Sequence, residues 1–185
     1  MKAETETFGI VYADPPWAYR VWSDKGTGRA AENHYPTMPL GDICALPVSR
    51  IAAKDSALFL WATYPNLLAA FEVIAAWGFT YKTVAFTWVK TCRKSTNDYF
   101  VSLGYWTRAN AEICLLAAKG KPQRVSKSVR QLIVSPIQRH SQKPDDARKR
   151  IVELMGDLPR VELFAREKAA GWAAWGNEIE SDITF

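Results

Sequence analysis

The chain predicts a single α/β domain, and three observations carry that reading. Short apolar, β-rich runs alternate with stretches whose hydrophobic residues recur at helical spacing, the pattern of a sheet with crossover helices. The 185 residues suffice for one sizeable core but would leave two half-length domains short of buried surface. No internal repeat, low-complexity tract or linker divides the chain, so residues 1–185 read as one unit.

Phe8–Ala13 reads as the first strand, and it stops at Asp14-Pro15-Pro16 because prolines cannot continue a central ladder. Residues from Trp17 to Pro39 are polar and aromatic without periodicity, which predicts a long functional or mobile loop. Ala57–Ala62 reads as a second, buried strand. Pro65 then suits a first helical turn, and Leu67, Leu68, Phe71, Ile74 and Ala75 follow at helical spacing up to a stop at Gly78, with Phe71 and Ile74 in the core. Tyr81–Val89 is a third strand, Thr91–Gly104 a second long loop, and Ile113–Ala118 and Leu132–Val134 are shorter strands. After Pro144, Asp145 and Asp146 favour a helix N-terminus, Ile151, Val152, Leu154 and Met155 give its apolar side, and Gly156 ends it. Val161–Ala165 and Trp172–Trp175 read as closing strands.

Composition removes several classes. With 48% hydrophobic and 23% charged residues, collagen-like, disordered and coiled-coil readings fail. Cys44, Cys92 and Cys114 are odd in number and contain no C-x-x-C, so neither a zinc knuckle nor a disulfide framework fits. The N-terminus carries acids and no long apolar stretch, and no run reaches membrane-spanning length; the expectation is a protein of the reducing cytoplasm with no membrane partner. H-E-x-x-H, G-x-S-x-G and the phosphate-loop signature are absent, His34 and His140 form no ligand set, and no metal is expected. Gly26-Thr27-Gly28-Arg29-Ala30-Ala31 has the degenerate G-x-G-x-x-A form, but no strand feeds it and no helix follows it. Net charge is +5, and residues 119–150 hold ten Lys and Arg against two acids, Asp145 and Asp146. That stretch reads as a solvated surface or as a face that tracks phosphates. Eight tryptophans would supply stacking surfaces.

Asp14-Pro15-Pro16-Trp17 is the informative constellation. It places a carboxylate at the C-terminal end of a strand, where open α/β sheets hold ligands. An exocyclic base amine is a poor nucleophile because its lone pair is delocalised into the ring. Acceptors aimed at both N–H groups hold it and favour a tetrahedral nitrogen, and an Asp oxygen with a rigid proline carbonyl can supply them. Trp17 can stack on an extruded base. The tetrapeptide reads equally as a strand terminator with a buried tryptophan.

The residues resemble those of the MT-A70 family of adenine-N6 methyltransferases. Beside D-P-P-W, the likeness rests on Phe59-Leu60-Trp61, Trp88-Val89-Lys90, Ser141-Gln142-Lys143-Pro144-Asp145, Glu162-Leu163-Phe164-Ala165-Arg166 and Trp172–Glu178, in the family's order from about Phe8 to Glu178. It implies a Rossmann-like methyltransferase sheet with permuted motif order, a catalytic half over about 8–118 and a cofactor half over about 140–178. The implied cofactor is S-adenosylmethionine. By the same resemblance Asp14 and Pro15 would take the amine, Pro16 would complete the catalytic motif, and Trp17 would contact the flipped base. Asp14 would also contact the cofactor's amino-acid end. Lys143 would hold that end or the active-site loop. Leu163, Phe164 and Arg166 would line the adenosine pocket, with Asn177 and Glu178 toward the ribose. Tyr19, Asn33, Tyr35 and Lys90 are expected substrate contacts, with Trp22, His34, Arg93 and Lys94 as further candidates from the two loops. Trp61, Trp88, Trp106 and Glu112 are expected in the core or in support of the site. The expected partner is nucleic acid, DNA ahead of RNA; a homodimer is allowed. The alternatives are an RNA adenine-N6 methyltransferase, a nucleic-acid-binding relative without catalysis, and methylation of cytosine N4.

Overall fold

The computed structural model describes residues 7–18, 37–104, 106–139 and 142–185. In chain order its elements are β1 (Phe8–Ala13), α1 (Leu40–Ala45), α2 (Val48–Ile51), β2 (Ala52–Ala62), a 3-10 turn (Tyr64–Asn66), α3 (Leu67–Ala76), β3 (Thr80–Cys92), β4 (Ser95–Tyr99), β5 (Glu112–Lys119), β6 (Leu132–Pro136), α4 (Asp145–Met155), β7 (Arg160–Leu163) and β8 (Ala173–Trp175).

Every residue of β1 is buried, which explains its unbroken apolar sequence: it lies inside the sheet with parallel neighbours on both sides, β2 and β7. The sheet order is β4-β3-β5-β2-β1-β7-β8, with β6 beside β3. β5 is antiparallel to both β2 and β3, β6 runs parallel to β3, and β8 parallel to β7. Six strands therefore point one way, and β4 and β5 run against them.

Alternation along the strands divides the core between the two faces. Val11, Leu58, Leu60, Leu115 and Val161 point to a layer containing Ile43, Val48, Val73, Ile74 and Trp77 from α1, α2 and the α3 segment. Ile10, Tyr12, Phe59, Trp61, Phe86 and Trp88 point to the other, where α4 lays down Ala147, Ile151 and Met155 at four-residue intervals. The arrangement is the mixed α/β single domain that the sequence predicts. Among the described residues no helix is long and apolar enough to cross a membrane.

Several expectations need correction. Leu68, placed on the apolar side of its helix, is 78% exposed, and Phe71 is only half-buried, its ring meeting the Tyr81 edge at 5.0 Å. Trp106 is neither core nor support for the site: it is fully solvent-exposed. β7 ends at Leu163 rather than Ala165 because Phe164 turns the chain at φ +62°. The sequence reading contained neither α1, α2 nor β4.

Candidate active site

Because β1, β2, β3, β6, β7 and β8 share one direction, their C-terminal ends lie along one edge of the sheet. The reversed strand β5 brings its first residue, Glu112, to that same edge, opposite Trp88 on β3. Asp14 follows β1, Trp61 and Ala62 close β2, Lys90 stands near the end of β3, and Glu162 near the end of β7. Side chains distant in sequence thus converge where open α/β sheets hold ligands.

The chain leaves β1 through a tight elbow. Trp17 donates its backbone N–H to the Pro15 carbonyl at 2.8 Å, and Met38 donates to the Pro16 carbonyl at 2.9 Å. The Trp17 indole turns inward, 6% exposed, and its Nε1–H donates to the Trp61 carbonyl at 3.1 Å. Trp17 thereby pins the elbow to the end of β2. The Pro15 carbonyl keeps a second lone pair for another donor.

Beside the elbow lies a chain of alternating charges. Lys143 Nζ reaches Asp14 Oδ2 at 2.7 Å and Glu112 Oε2 at 3.3 Å, and Lys90 Nζ reaches Glu112 Oε1 at 2.5 Å. The two ammonium groups lie over indoles, Lys143 at 5.7 Å from the Trp61 ring and Lys90 at 5.0 Å from Trp88. Trp61 Nε1–H donates to the Tyr12 hydroxyl at 2.7 Å, and Trp88 Nε1–H to the Ser135 carbonyl at 3.3 Å, so both rings are held. Burial pushes the Asp14 carboxyl above its ordinary range, which the adjoining Lys143 only partly offsets while Glu112 adds to the rise. Burial acts upward on Glu112 as well, but Lys143 and Lys90 together hold it below its usual value. The two carboxylates raise Lys143 despite the opposing effect of burial, so it stays protonated. Asparagine 110 braces the far end: its side-chain amide accepts from Lys90 N–H at 3.0 Å and donates to the carbonyls of Lys90 and Phe100.

The neighbouring strands build a second corner. Phe164 sits in the left-handed region immediately after β7, and its ring meets Trp175 edge-on at 5.4 Å. Ala165 N–H donates to the Trp175 carbonyl at 2.9 Å. Gly176 packs so closely that a Cβ there would stand 2.0 Å from the Ala165 carbonyl oxygen, so no other residue fits without moving backbone. Arg166 Nε and Glu178 Oε1 pair at 2.9 Å, both half-exposed, and the Arg166 charge lies near enough to lower the Asp14 pKa. Under this corner Arg148 grips the buried Glu162 with two hydrogen bonds, at 2.7 and 2.9 Å.

The model of the MT-A70 family matches residues 8–178, which span both corners. The chain belongs to the MT-A70 family. It is 34% identical to the type II methyltransferase M.MunI of a Mycoplasma species, over 93% of this chain and 78% of that protein. It is 31% identical to an Arabidopsis thaliana N(6)-adenosine-methyltransferase MT-A70-like protein and 27% to the human N(6)-adenosine-methyltransferase catalytic subunit METTL3. Each match takes in 94% of this chain. The chain spans only about a quarter of those two proteins, 24% and 28%.

In this MT-A70 chain the edge brings together Asp14, Lys143 and Lys90, and separately Arg166 with Glu178. Asn177 is exposed beside Glu178. Leu163 has its side chain in the core, so only its backbone can face a ligand. Tyr19, Asn33 and Tyr35, with Trp22, His34 and His140, lie outside the described residues. Glu112, expected only as support, stands at the centre of the charge chain; an acid opening an otherwise apolar strand was the signal for it. The basic stretch does not form one face. Lys119 ends β5 at the opposite edge and donates to the Ser49 carbonyl, Lys143 is in the site, and Arg148 and Arg150 are engaged by carboxylates.

Proposed function

We propose that this chain transfers a methyl group from S-adenosylmethionine to the exocyclic N6 amine of adenine in nucleic acid, DNA ahead of RNA. The observation that carries the reading is the Asp14–Lys143–Glu112 chain at the carboxyl edge, next to the Phe164 elbow. Asp14 retains 28% of its side-chain exposure, so a substrate N–H has an oxygen to approach. The Pro15 carbonyl offers the second acceptor. Two acceptors on one NH₂ orient its lone pair, and the partly desolvated carboxylate accepts more strongly than it would in water. Lys143 fixes Asp14, and Glu112 with Lys90 fixes Lys143.

The second corner fits the cofactor. Glu178 is a carboxylate able to accept from two vicinal hydroxyls, Asn177 stands beside it, and the backbone of Leu163 and Phe164 bends there without a side chain intervening from Gly176. When bound, the cofactor supplies an electrophilic methyl group on a sulfonium. The residues of this edge orient the amine, exclude water with the Trp61 and Trp88 rings, and balance the carboxylate charge. Support for DNA over RNA is the likeness: the chain is 34% identical to the type II methyltransferase, against 31% and 27% for the relatives named for adenosine.

The test uses radiolabelled S-adenosylmethionine with double-stranded DNA, single-stranded DNA and RNA, followed by nucleoside analysis. Label in N6-methyladenine from DNA is the expected result. Label in cytosine, or no uptake with any polymer, overturns the proposal; a preference for RNA overturns its choice of polymer.

A further inference from the structure

Between Lys90 and Glu112 the chain turns back through β4, and four large apolar side chains among the described residues of this excursion face solvent: Tyr99 (65% exposed), Val101 (66%), Leu103 (59%) and Trp106 (101%). No core need accounts for them, and exposed apolar side chains gathered on one segment point to a binding surface. The segment is not slack. Ser102 and Ala109 exchange backbone hydrogen bonds at 2.9 and 3.2 Å. A Cβ at Gly104 would stand 2.3 Å from the Thr107 carbonyl oxygen. Trp106 itself is held at φ +65°, an uncommon conformation for a bulky residue, and one associated with functional positions. The turn thus spends backbone strain to hold an indole wholly in water.

A cavity of about 330 Å³ opens on the same excursion, lined by Val89, Tyr99, Val101, Arg108 and Asn110 among others. That size lies in the range of small-ligand sites. Arg108 lines it as an exposed cation, and no acid is among the lining residues. A planar aromatic ligand carrying negative charge matches this surface, and an unpaired nucleotide has both features: a π-face for Tyr99 or Trp106 and a phosphate for Arg108. Asn110 lines the cavity and also bonds the backbone of Lys90, so the cavity adjoins the charge chain through one side chain.

We propose that the Tyr99–Trp106 surface receives an unpaired nucleotide flanking the target base, with Trp106 stacking on it and Arg108 on its phosphate. The inference rests on the proposed methyl transfer to nucleic acid and adds that the enzyme works on a strand that is single or locally opened. Stacking on Trp106 would compensate the contact that the flanking nucleotide loses when the target base is extruded.

The test measures the affinity of the intact protein for a fluorescein-labelled, adenine-containing single-stranded DNA 12-mer by anisotropy. The same oligonucleotide with abasic positions on both sides of the adenine is the control, and cofactor affinity is measured in parallel. Trp106→Ala is expected to raise the Kd for the 12-mer by roughly 5- to 150-fold, the range that stacking supplies, with cofactor affinity unchanged. Trp106→Phe should recover most of the loss, and the abasic control should erase the difference between wild type and Trp106→Ala. Equal affinities of wild type and Trp106→Ala for the 12-mer overturn the site while leaving methyl transfer standing. So does a Trp106→Ala protein whose only change is a smaller sedimentation coefficient, since the patch would then be an interface between copies. Absence of transfer by wild type, with Trp106-dependent binding intact, instead defeats the catalytic reading.

Discussion

At Asp14 burial and Lys143 pull in opposite directions, and burial wins, so the carboxyl titrates above its unfolded value. The stability that Asp14 contributes is therefore present below the unfolded pKa and is lost as pH rises through the folded one. Asp14→Asn should be no less stable than wild type near neutrality, with the comparison shifting toward wild type as pH falls through the carboxylate range; thermal unfolding midpoints across pH 3–8 measure it. Activity should respond oppositely: Asp14→Ala is expected to lose at least about a hundredfold in turnover while keeping its circular dichroism spectrum, because it removes an acceptor but no core contact. Glu112 has the reverse sign. Its pKa is depressed, so its contribution is present above the unfolded value and is lost as pH falls through the folded one. Glu112→Gln leaves two buried ammonium groups short of a charge and should cost on the order of 3 kcal/mol at pH 7, read by urea denaturation. Asp14 was legible in sequence because two prolines mark the strand end. The role of Glu112 was only half legible: an acid opening an apolar strand marks the position, but its place in the site depends on the direction in which β5 runs, which no local pattern encodes.

Among the elements, the central strands were legible for a physical reason: burial on both faces leaves Phe8–Ala13 and Ala57–Ala62 as unbroken apolar runs. β4 was missed because Ser95–Tyr99 is a polar segment at the sheet edge. The two short helices before β2 escaped because neither has a side-chain cap and each spans six residues or fewer. α3 was found, but its face was misjudged at Leu68, since tertiary packing rather than spacing decides which apolar residue turns inward. The tightest inter-element contact is Gly176 against Ala165. Gly176→Ala should force the end of β8 away from the Phe164 elbow, lowering the thermal midpoint and weakening cofactor binding together, as calorimetry and equilibrium binding would show.

For the molecule as a whole, the sheet ends differ. Beyond β8, Asp182 satisfies both backbone groups of Ala174: its N–H donates to the Ala174 carbonyl at 2.8 Å and its Oδ2 accepts from Ala174 N–H at 3.0 Å. The segment carrying Asp182 thus stands in for a neighbouring strand and blunts that edge. Its pKa is lowered by the Lys168 hydrogen bond and the Ala174 N–H, so this cover is present above the unfolded carboxyl value and is lost as pH falls through the folded one. Asp182→Ala should speed amide exchange at Ala174 without altering exchange in β1. The order of strands was not readable from the sequence beyond its family likeness, because pairing joins Phe8–Ala13 to Arg160–Leu163 across most of the chain.

One reversed strand has a further consequence. Since Lys90 stands near the end of β3 and Glu112 opens β5, the excursion between them is a handle with both roots in the candidate active site. Lengthening or replacing that handle is a route by which one catalytic platform acquires new sequence preferences, and any force a polymer exerts on its tip is delivered at both roots to a single carboxylate–ammonium pair.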